Sequence, residues 1–249
     1  MTELSVVTPC HDSGDVLGDS IASVVRQSKA AEHLIVSGDP EGSLSDLLSR
    51  TGSDARVIYE KPSGIYPAIN SGIQAATGEV IGILHADDLY PSDDVLERVA
   101  AIFADPAIGA CYGDLCYVDA QDIRRITRYW RAGAFRSQRF RHGWMPPHPT
   151  FFLRRGIYEQ RGLYRTDLGT AADYELMLRM LYRHRVGVAY LPQVLVHMRG
   201  GGASNATWGA RLTANRMDRE AWRVNGLIPY PWTLAAKPWR KVSQWWRRP

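Results

Sequence analysis

The sequence has few cysteines and no long hydrophobic run. Its 249 residues include three cysteines, Cys10, Cys111 and Cys116. Neither their spacing nor their odd number fits a metal site or a disulfide framework. No window approaches the ~18 to 20 uninterrupted apolar residues that a membrane-spanning helix needs. Met1 leads straight into a strand-like run, without a signal peptide. These absences predict a reduced, cytoplasmic protein.

Glycine-rich phosphate motifs and internal repeats are also missing. No G-x-G-x-x-G follows the first strand-like run, and no G-x-x-x-x-G-K-[ST] occurs anywhere. Rossmann dehydrogenases and P-loop enzymes depend on those glycines to approach phosphate groups, so both classes are disfavoured. The sequence does not repeat itself at periods of about 20 to 50 residues, which argues against a solenoid.

Acidic residues are absent from 230–249, where five basic residues and four tryptophans occur. Because the net charge is +4, the rest of the chain is close to neutral, which disfavours a nucleic-acid partner. Tryptophan favours lipid headgroups and cations favour anionic leaflets. The segment therefore predicts a peripheral contact with an anionic membrane, at the inner face of the cell membrane. The alternative is that the tryptophans pack on the domain or in a dimer.

Strand and helix patterns alternate through the first part of the chain, and 45% hydrophobic residues suffice for one large core. Repeated strand–helix units predict an α/β protein with a mainly parallel sheet flanked by helices. The predicted strands are 4–8, 34–36, 56–59 and 80–84, and the predicted helices are 16–27, 43–50, 65–76 and 95–104.

The second part of the chain has a less regular pattern. An arginine-rich stretch at 124–141 has no periodic charged face, so it is interpreted as a solvated loop. The predicted strands are 110–112, 116–118 and 186–191, and the predicted helices are 155–161, 171–181 and about 208–225.

Two adjacent acids, Asp87 and Asp88, follow the buried run at 80–84. Ligands of open α/β sheets bind at the carboxyl ends of the strands, where these side chains are expected. Carboxylate oxygens there suit a divalent cation that carries a phosphorylated substrate. The alternative is that Asp88 caps a turn and Asp87 is merely solvated. The pattern alone leaves both interpretations open.

The order of several short motifs resembles the family 2 glycosyltransferases of GT-A fold, in the small, non-processive branch that builds bacterial polysaccharides and glycolipids. No single motif is specific, but their order is. The motifs are SVVTP at 5–9, IASVVRQS at 21–28, GIYPAINSG at 64–72, ATGE at 76–79, HADD at 85–88, PHPTFF at 147–152, ADYELMLR at 172–179 and GGAS at 201–204.

The resemblance implies an inverting, metal-dependent enzyme with a Rossmann-like GT-A fold. Such an enzyme moves one sugar from a nucleotide-diphosphate sugar to a hydroxyl of a saccharide or lipid-linked acceptor. The resemblance places Mn²⁺ or Mg²⁺ at Asp87 and Asp88, and it matches Asp173 to the general base. A carboxylate that merely stabilises a helix N-terminus is the alternative for Asp173.

The resemblance also assigns binding residues. Asn70 and His148 could instead have structural roles, and 201–204 could be a simple turn rather than a flap over the donor. The resemblance implies that the family's usual acid after the second strand is displaced here to Asp39 or lost. Pro67 stands where Asp is usual, and His85 stands where relatives often have Asp or Asn. The expected donor-binding residues are Thr8, Pro9, Asp39, Asn70, His85, Asp87 and Asp88, and the expected acceptor or diphosphate contacts are His148 and Ser204.

The resemblance covers about residues 3–205. We therefore expect a catalytic domain at 1–205, with a nucleotide-sugar half at about 1–115 and an acceptor-side half at 116–205. A helical tail rich in tryptophan and arginine is expected at 206–249. Two other functions compete with this hypothesis: a sugar-1-phosphate nucleotidyltransferase, and a non-catalytic protein that binds a carbohydrate or a partner.

Overall fold

A mixed sheet of eight strands organises the residues that the computed structural model describes, which are 2–11, 16–61, 63–200 and 208–233, without the side chains of 208–214. None of the helices in these ranges is both long and apolar enough to cross a bilayer. The strands are β1 Leu4–Cys10, β2 Glu32–Ser37, β3 Arg56–Tyr59, β4 Val80–Ile83, β5 Ala110–Val118, β6 Ile126–Trp130, β7 Phe152–Arg154 and β8 Val188–Arg199.

Helices cover this sheet. The α-helices are α1 Val16–Val25, α2 Ser45–Thr51, α3 Ile65–Ala75, α4 Val95–Ile102, α5 Arg155–Arg161, α6 Ala172–Met177 and α7 Trp208–Val224. Short 3-10 helices occupy Ser137–His142, His148–Thr150 and Thr166–Ala171, and a π-helical turn at Leu178–Arg183 extends α6.

The strand order is β3-β2-β1-β4-β7-β5-β6, with β8 paired to β5. The four strands of the first part, β1 to β4, are parallel, as the alternating pattern predicts. Strand β7 then enters antiparallel between β4 and β5. Because β1 lies in the middle of the parallel part, all its residues are buried. The predicted α/β class is confirmed.

Several predictions for the second part were wrong. The strands predicted at 110–112 and 116–118 are one strand, β5. The arginine-rich stretch is not all loop, since it contains β6, which pairs antiparallel with β5. There the guanidinium of Arg128 lies over the ring of Tyr117, 3.6 Å from its centroid, so an arginine covers the sheet instead of projecting freely. Strand β7 was not predicted, and β8 is longer than expected.

Helix α7 matches its prediction closely and is tied to the main core. Ala221 and Trp222 are fully buried in the same cluster as residues of α6. The indole Nε1 of Trp222 donates a hydrogen bond to the Tyr174 hydroxyl at 2.9 Å. Helix α7 is therefore packed against the same core as α6. Of the predicted tail at 230–249, only residues 230–233 lie within the described ranges.

Candidate active site

The turn after β4 presents the two adjacent acids at the carboxyl end of the parallel strands. The Asp88 N–H donates to the carbonyl of His85 at 3.0 Å, which closes the turn. Leu89 then exchanges backbone hydrogen bonds with His197 of β8. This tight geometry leaves Asp87 partly exposed and buries Asp88 completely.

Asp88 is a buried carboxylate with half of its hydrogen-bonding capacity used. Its Oδ1 accepts the backbone N–H of Arg199 at 3.3 Å. Its Oδ2 is buried and has no hydrogen-bond partner among the described residues. Burial, and then the negative charge of Asp87, raise the pKa of Asp88 well above its usual value, and Arg199 opposes this shift.

Arg199 joins this turn to two other elements, and sequence reasoning missed it. Its Nε donates to the Asp87 carbonyl at 3.3 Å, and its Nη1 donates to the Ala120 carbonyl at 3.1 Å. Its Nη2 bonds to an Oδ of Asp19 on α1 at 2.6 Å. The one signal in the sequence is its position, where an apolar run stops before three glycines.

The two acids fit a divalent cation that also binds phosphate. No group of three or more His, Cys, Asp or Glu side chains in the described ranges has the geometry of a metal cage. Mg²⁺ and ions of similar preference are usually held by one or two carboxylates, with substrate phosphates and water completing the shell. The unpaired buried oxygen of Asp88, next to Asp87, matches that arrangement.

A second cluster surrounds Asp173, which begins the first turn of α6. The Tyr66 hydroxyl donates to Asp173 Oδ2 at 2.9 Å, and His148 Nε2 lies 3.9 Å from the same oxygen. Burial and the charge of Asp173 raise the pKa of Tyr66, so Tyr66 stays a donor. Tyr66 lies within a motif used for the resemblance, but sequence reasoning gave it no role.

His85 links the two clusters. Its ring packs edge-to-face on His148, with 5.6 Å between the ring centroids. Burial and the neighbouring His148 lower the pKa of His85 to about 4, whereas Asp173 and Asp87 act in the opposite direction. The charges of both acids therefore reach one histidine, and the two clusters belong to one region of the sheet edge.

The predicted nucleoside contacts lie at the ends of β1 and β2. Asp39 is partly exposed there and accepts a hydrogen bond from Ser37 Oγ at 3.2 Å. Thr8 and Pro9 are buried, and Thr8 Oγ1 lies 2.9 Å from His33 Nε2. The Thr8 hydroxyl is thus already engaged inside the sheet, while the Asp39 carboxylate is at the edge.

Asn70, a predicted donor contact, uses both ends of its amide in bonds to the backbone of Tyr164. Its Nδ2 donates to the Tyr164 carbonyl at 2.9 Å, and its Oδ1 accepts the Tyr164 N–H at 3.0 Å. This two-way bond ties α3 to the chain that leads to α6. Ser204 and the glycines before it lie outside the described residues.

Comparison with known proteins identifies the family of the chain. The family description "Glycosyl transferase family 2" matches residues 5–162, more than half of the chain. The PGL/p-HBAD biosynthesis glycosyltransferase of Mycobacterium tuberculosis is 27% identical over 207 residues, which cover 81% of this chain and 78% of that protein. The O-antigen biosynthesis protein RfbC of Myxococcus xanthus is 30% identical over 223 residues, covering 84% of this chain but 17% of RfbC.

Two solved structures share the fold. The Pyrobaculum calidifontis mannosyltransferase PcManGT, in complex with GDP-Man and Mn²⁺, aligns with a TM-score of 0.65 at 17% identity, covering 98% of this chain and 73% of PcManGT. Staphylococcus aureus TarS 1-349, in complex with UDP-GlcNAc, aligns with a TM-score of 0.70 at 15% identity, covering 97% of this chain and 73% of TarS 1-349.

Proposed function

The chain belongs to glycosyltransferase family 2, and from that premise we propose an inverting, metal-dependent transfer of one sugar from a nucleotide-diphosphate sugar to an acceptor hydroxyl. The observation that carries the proposal is the proximity of two acidic clusters: His85, two residues before Asp87, packs on His148, whose Nε2 lies 3.9 Å from Asp173 Oδ2. Family membership favours sugar transfer over the two alternatives, a nucleotidyltransferase and a non-catalytic binding protein.

Asp87 and Asp88 are the residues that would hold Mn²⁺ or Mg²⁺. When bound, the cation would offset the negative charge that builds on the departing nucleoside diphosphate. The PcManGT complex contains Mn²⁺, which supports the choice of ion. Arg199 fixes the backbone of this turn through the Asp87 carbonyl and so holds both carboxylates in place.

Asp173 would act as the general base. The acceptor oxygen attacks the anomeric carbon, its proton passes to Asp173, and the bond from that carbon to the diphosphate oxygen breaks. Attack opposite to the leaving group inverts the anomeric centre. Tyr66 donates to one oxygen of Asp173, which orients the carboxylate. His148 would contact the acceptor or the diphosphate, and its Nε2 lies 3.9 Å from the same oxygen, which supports this role.

Donor binding is proposed along the ends of β1, β2 and β4. Asp39 would contact the nucleoside, with Thr8 and Pro9 shaping the strand edge beneath it, and His85 would lie beside the diphosphate. Ser204 remains a predicted contact. The relatives named for PGL/p-HBAD and O-antigen biosynthesis support a role in glycolipid or polysaccharide assembly. The acceptor would be a saccharide or a lipid-linked molecule at the inner membrane face, with 230–249 contacting anionic lipid.

Two isosteric substitutions separate the proposed roles. Asp87→Asn should abolish the Mn²⁺-dependent thermal stabilisation of the protein by the donor, because the cation loses a charged ligand. Asp173→Asn should retain that stabilisation while transfer or donor hydrolysis falls by ~10²–10⁴-fold, the usual contribution of a general base. Thermal shift with UDP-, GDP- and dTDP-sugars in Mn²⁺ measures donor binding, and release of nucleoside diphosphate measures turnover.

The exposed acid Asp46 on α2 provides the matched control, and Asp46→Asn should leave both measurements unchanged. Normal Mn²⁺-dependent donor binding by Asp87→Asn would show that this turn does not hold the cation. Full turnover by Asp173→Asn would remove the base assignment.

A further inference from the structure

The short segment after α7 exposes three large side chains within five residues. Ile228 is 81% exposed, Tyr230 is 37% exposed and Trp232 is 53% exposed. A turn, closed by the Thr233 N–H donating to the Tyr230 carbonyl at 3.0 Å, brings the two aromatic residues together. The rings of Tyr230 and Trp232 lie 5.0 Å apart. We call these three residues the 228–232 patch.

The 228–232 patch is held in place rather than hanging from the helix end. Thr233 is fully buried, and its hydroxyl donates to the Arg141 carbonyl at 2.6 Å. The Arg141 guanidinium lies over the Tyr230 ring, 4.6 Å from its centroid, and the His142 ring lies 6.2 Å from that ring. A segment anchored with this much exposed apolar surface indicates a binding surface.

We propose that the 228–232 patch docks onto an anionic lipid bilayer. Tyrosine and tryptophan side chains favour the headgroup level, where the polar end of each ring stays hydrated. The supporting segment, residues 131–142, has four arginines and no acid, and Arg141 and His142 contact the patch directly. This combination of aromatic rings and positive charge complements anionic headgroups.

The 228–232 patch is mechanically connected to the proposed base. Trp222 bonds to Tyr174, and Asn225 Nδ2 donates to Glu175 Oε1 at 3.0 Å, so the end of α7 is fixed to the helix that begins beside Asp173. Docking would therefore hold Asp173 in a fixed position relative to the bilayer. In this respect the inference rests on the proposed function and deepens it, because a fixed position relative to the bilayer suits an acceptor hydroxyl displayed from lipid.

Vesicle flotation of the full chain tests the docking. We expect the wild type to bind phosphatidylcholine vesicles that contain phosphatidylglycerol, and to bind pure phosphatidylcholine more weakly. The double substitution Ile228→Ser and Trp232→Ser should lower the anionic-vesicle partition coefficient more than about tenfold, since both apolar side chains leave the interface. Val25→Ser, which removes a 44% exposed valine at the end of α1, should leave it unchanged.

Three results would overturn the docking: no vesicle binding by the wild type, equal binding by the double variant, or a wild-type dimer in light scattering that the double substitution dissociates. Donor binding with Mn²⁺ and donor hydrolysis need no bilayer, so the double variant should retain both. Their absence from the wild type, with vesicle binding intact, would reject the proposed function and leave the docking standing.

Discussion

At the scale of single residues, Arg199 makes more polar contacts around the candidate cation site than either acid does. Its side chain is almost completely buried and bonds to three different parts of the chain, one of them the carboxylate of Asp19. The planar guanidinium can serve these partners at once because its donors point in fixed, separate directions. A buried charge with this many partners is costly to replace.

Arg199→Lys is therefore expected to lower the free energy of unfolding by ~1–3 kcal/mol, since an ammonium group cannot reach all the partners. The turn that carries Asp87 should also loosen, so Mn²⁺-dependent donor affinity should fall. Chemical denaturation and donor titration measure the two effects. Arg26→Lys is the control, because Arg26 is half exposed and has a single ion pair at 3.4 Å, worth less than ~1 kcal/mol. Unchanged donor affinity in Arg199→Lys would show that the bond from Arg199 to the Asp87 carbonyl does not hold the cation site in place.

Single residues also show how far sequence patterns reach. Asp87, Asp88 and Asp173 could be selected from the sequence because they lie in ordered motifs or directly after a strand. Tyr66 and Arg199 could not, since the partner of Tyr66 is 107 positions away and those of Arg199 are 79 to 180 positions away along the chain. The bond between Asn70 and Tyr164 could not be predicted either, since the two residues are 94 positions apart.

At the scale of elements, helix α3 depends on a glycine to lie close to the sheet. A Cβ at Gly72 would be 2.3 Å from Val7 Cγ1 on β1 and 3.1 Å from Val36 Cγ2 on β2. The same helix carries Tyr66 toward Asp173 and Asn70 toward Tyr164. The helix–sheet distance thus sets the position of two residues around the candidate base.

Gly72→Ala should lower the free energy of unfolding by ~1–3 kcal/mol, the usual cost of overpacking, even though alanine favours helices. Chemical denaturation measures this change. Gly156 in α5 is the matched control, because a Cβ there meets no atom within 4 Å. Gly156→Ala should be neutral or stabilise by up to ~1 kcal/mol. Equal effects at the two glycines would show that close packing of α3 is not what requires Gly72.

Helices and strands were predicted correctly where their own apolar pattern matches their burial. The prediction failed where a segment becomes a strand only by pairing with neighbouring strands. The four parallel strands have apolar runs long enough to identify. Strand β7 has three residues, and its strand conformation depends on β4 and β5 at its two sides. Strand β6, Ile126–Trp130, has one arginine among residues that favour strands, but the arginines on both sides of it hid this short local signal, and its pairing with β5 is a tertiary contact.

At the scale of the whole molecule, helix α7 closes the core beside α6. Trp222 is fully buried there, and its hydrogen bond to Tyr174 is 2.9 Å long. Ten residues later, Trp232 is half exposed in the 228–232 patch. One stretch of chain therefore contains a tryptophan that stabilises the fold and another that faces outward.

Trp222→Ala should lower the free energy of unfolding by ~3–5 kcal/mol, because it leaves a large cavity and removes the hydrogen bond to the Tyr174 hydroxyl. Trp232→Ala should change it by less than ~0.5 kcal/mol, as expected for an exposed position. Denaturant titrations of both variants measure the difference. A small effect of Trp222→Ala would mean that α7 is an appendage and not part of the core.

The sequence by itself determined the alternation of strands and helices in the first part of the chain. It also determined the acids that follow β4 and the acid in the first turn of α6, and the aromatic, basic character of the chain end. These are local properties, fixed by side-chain period and by motifs a few residues long. Only the tertiary structure decided that Tyr66, His85 and His148 bring the two acidic clusters together and that Arg199 clamps one of them. Contacts between residues a hundred positions apart arise from how the sheet orders its strands, which no local pattern encodes.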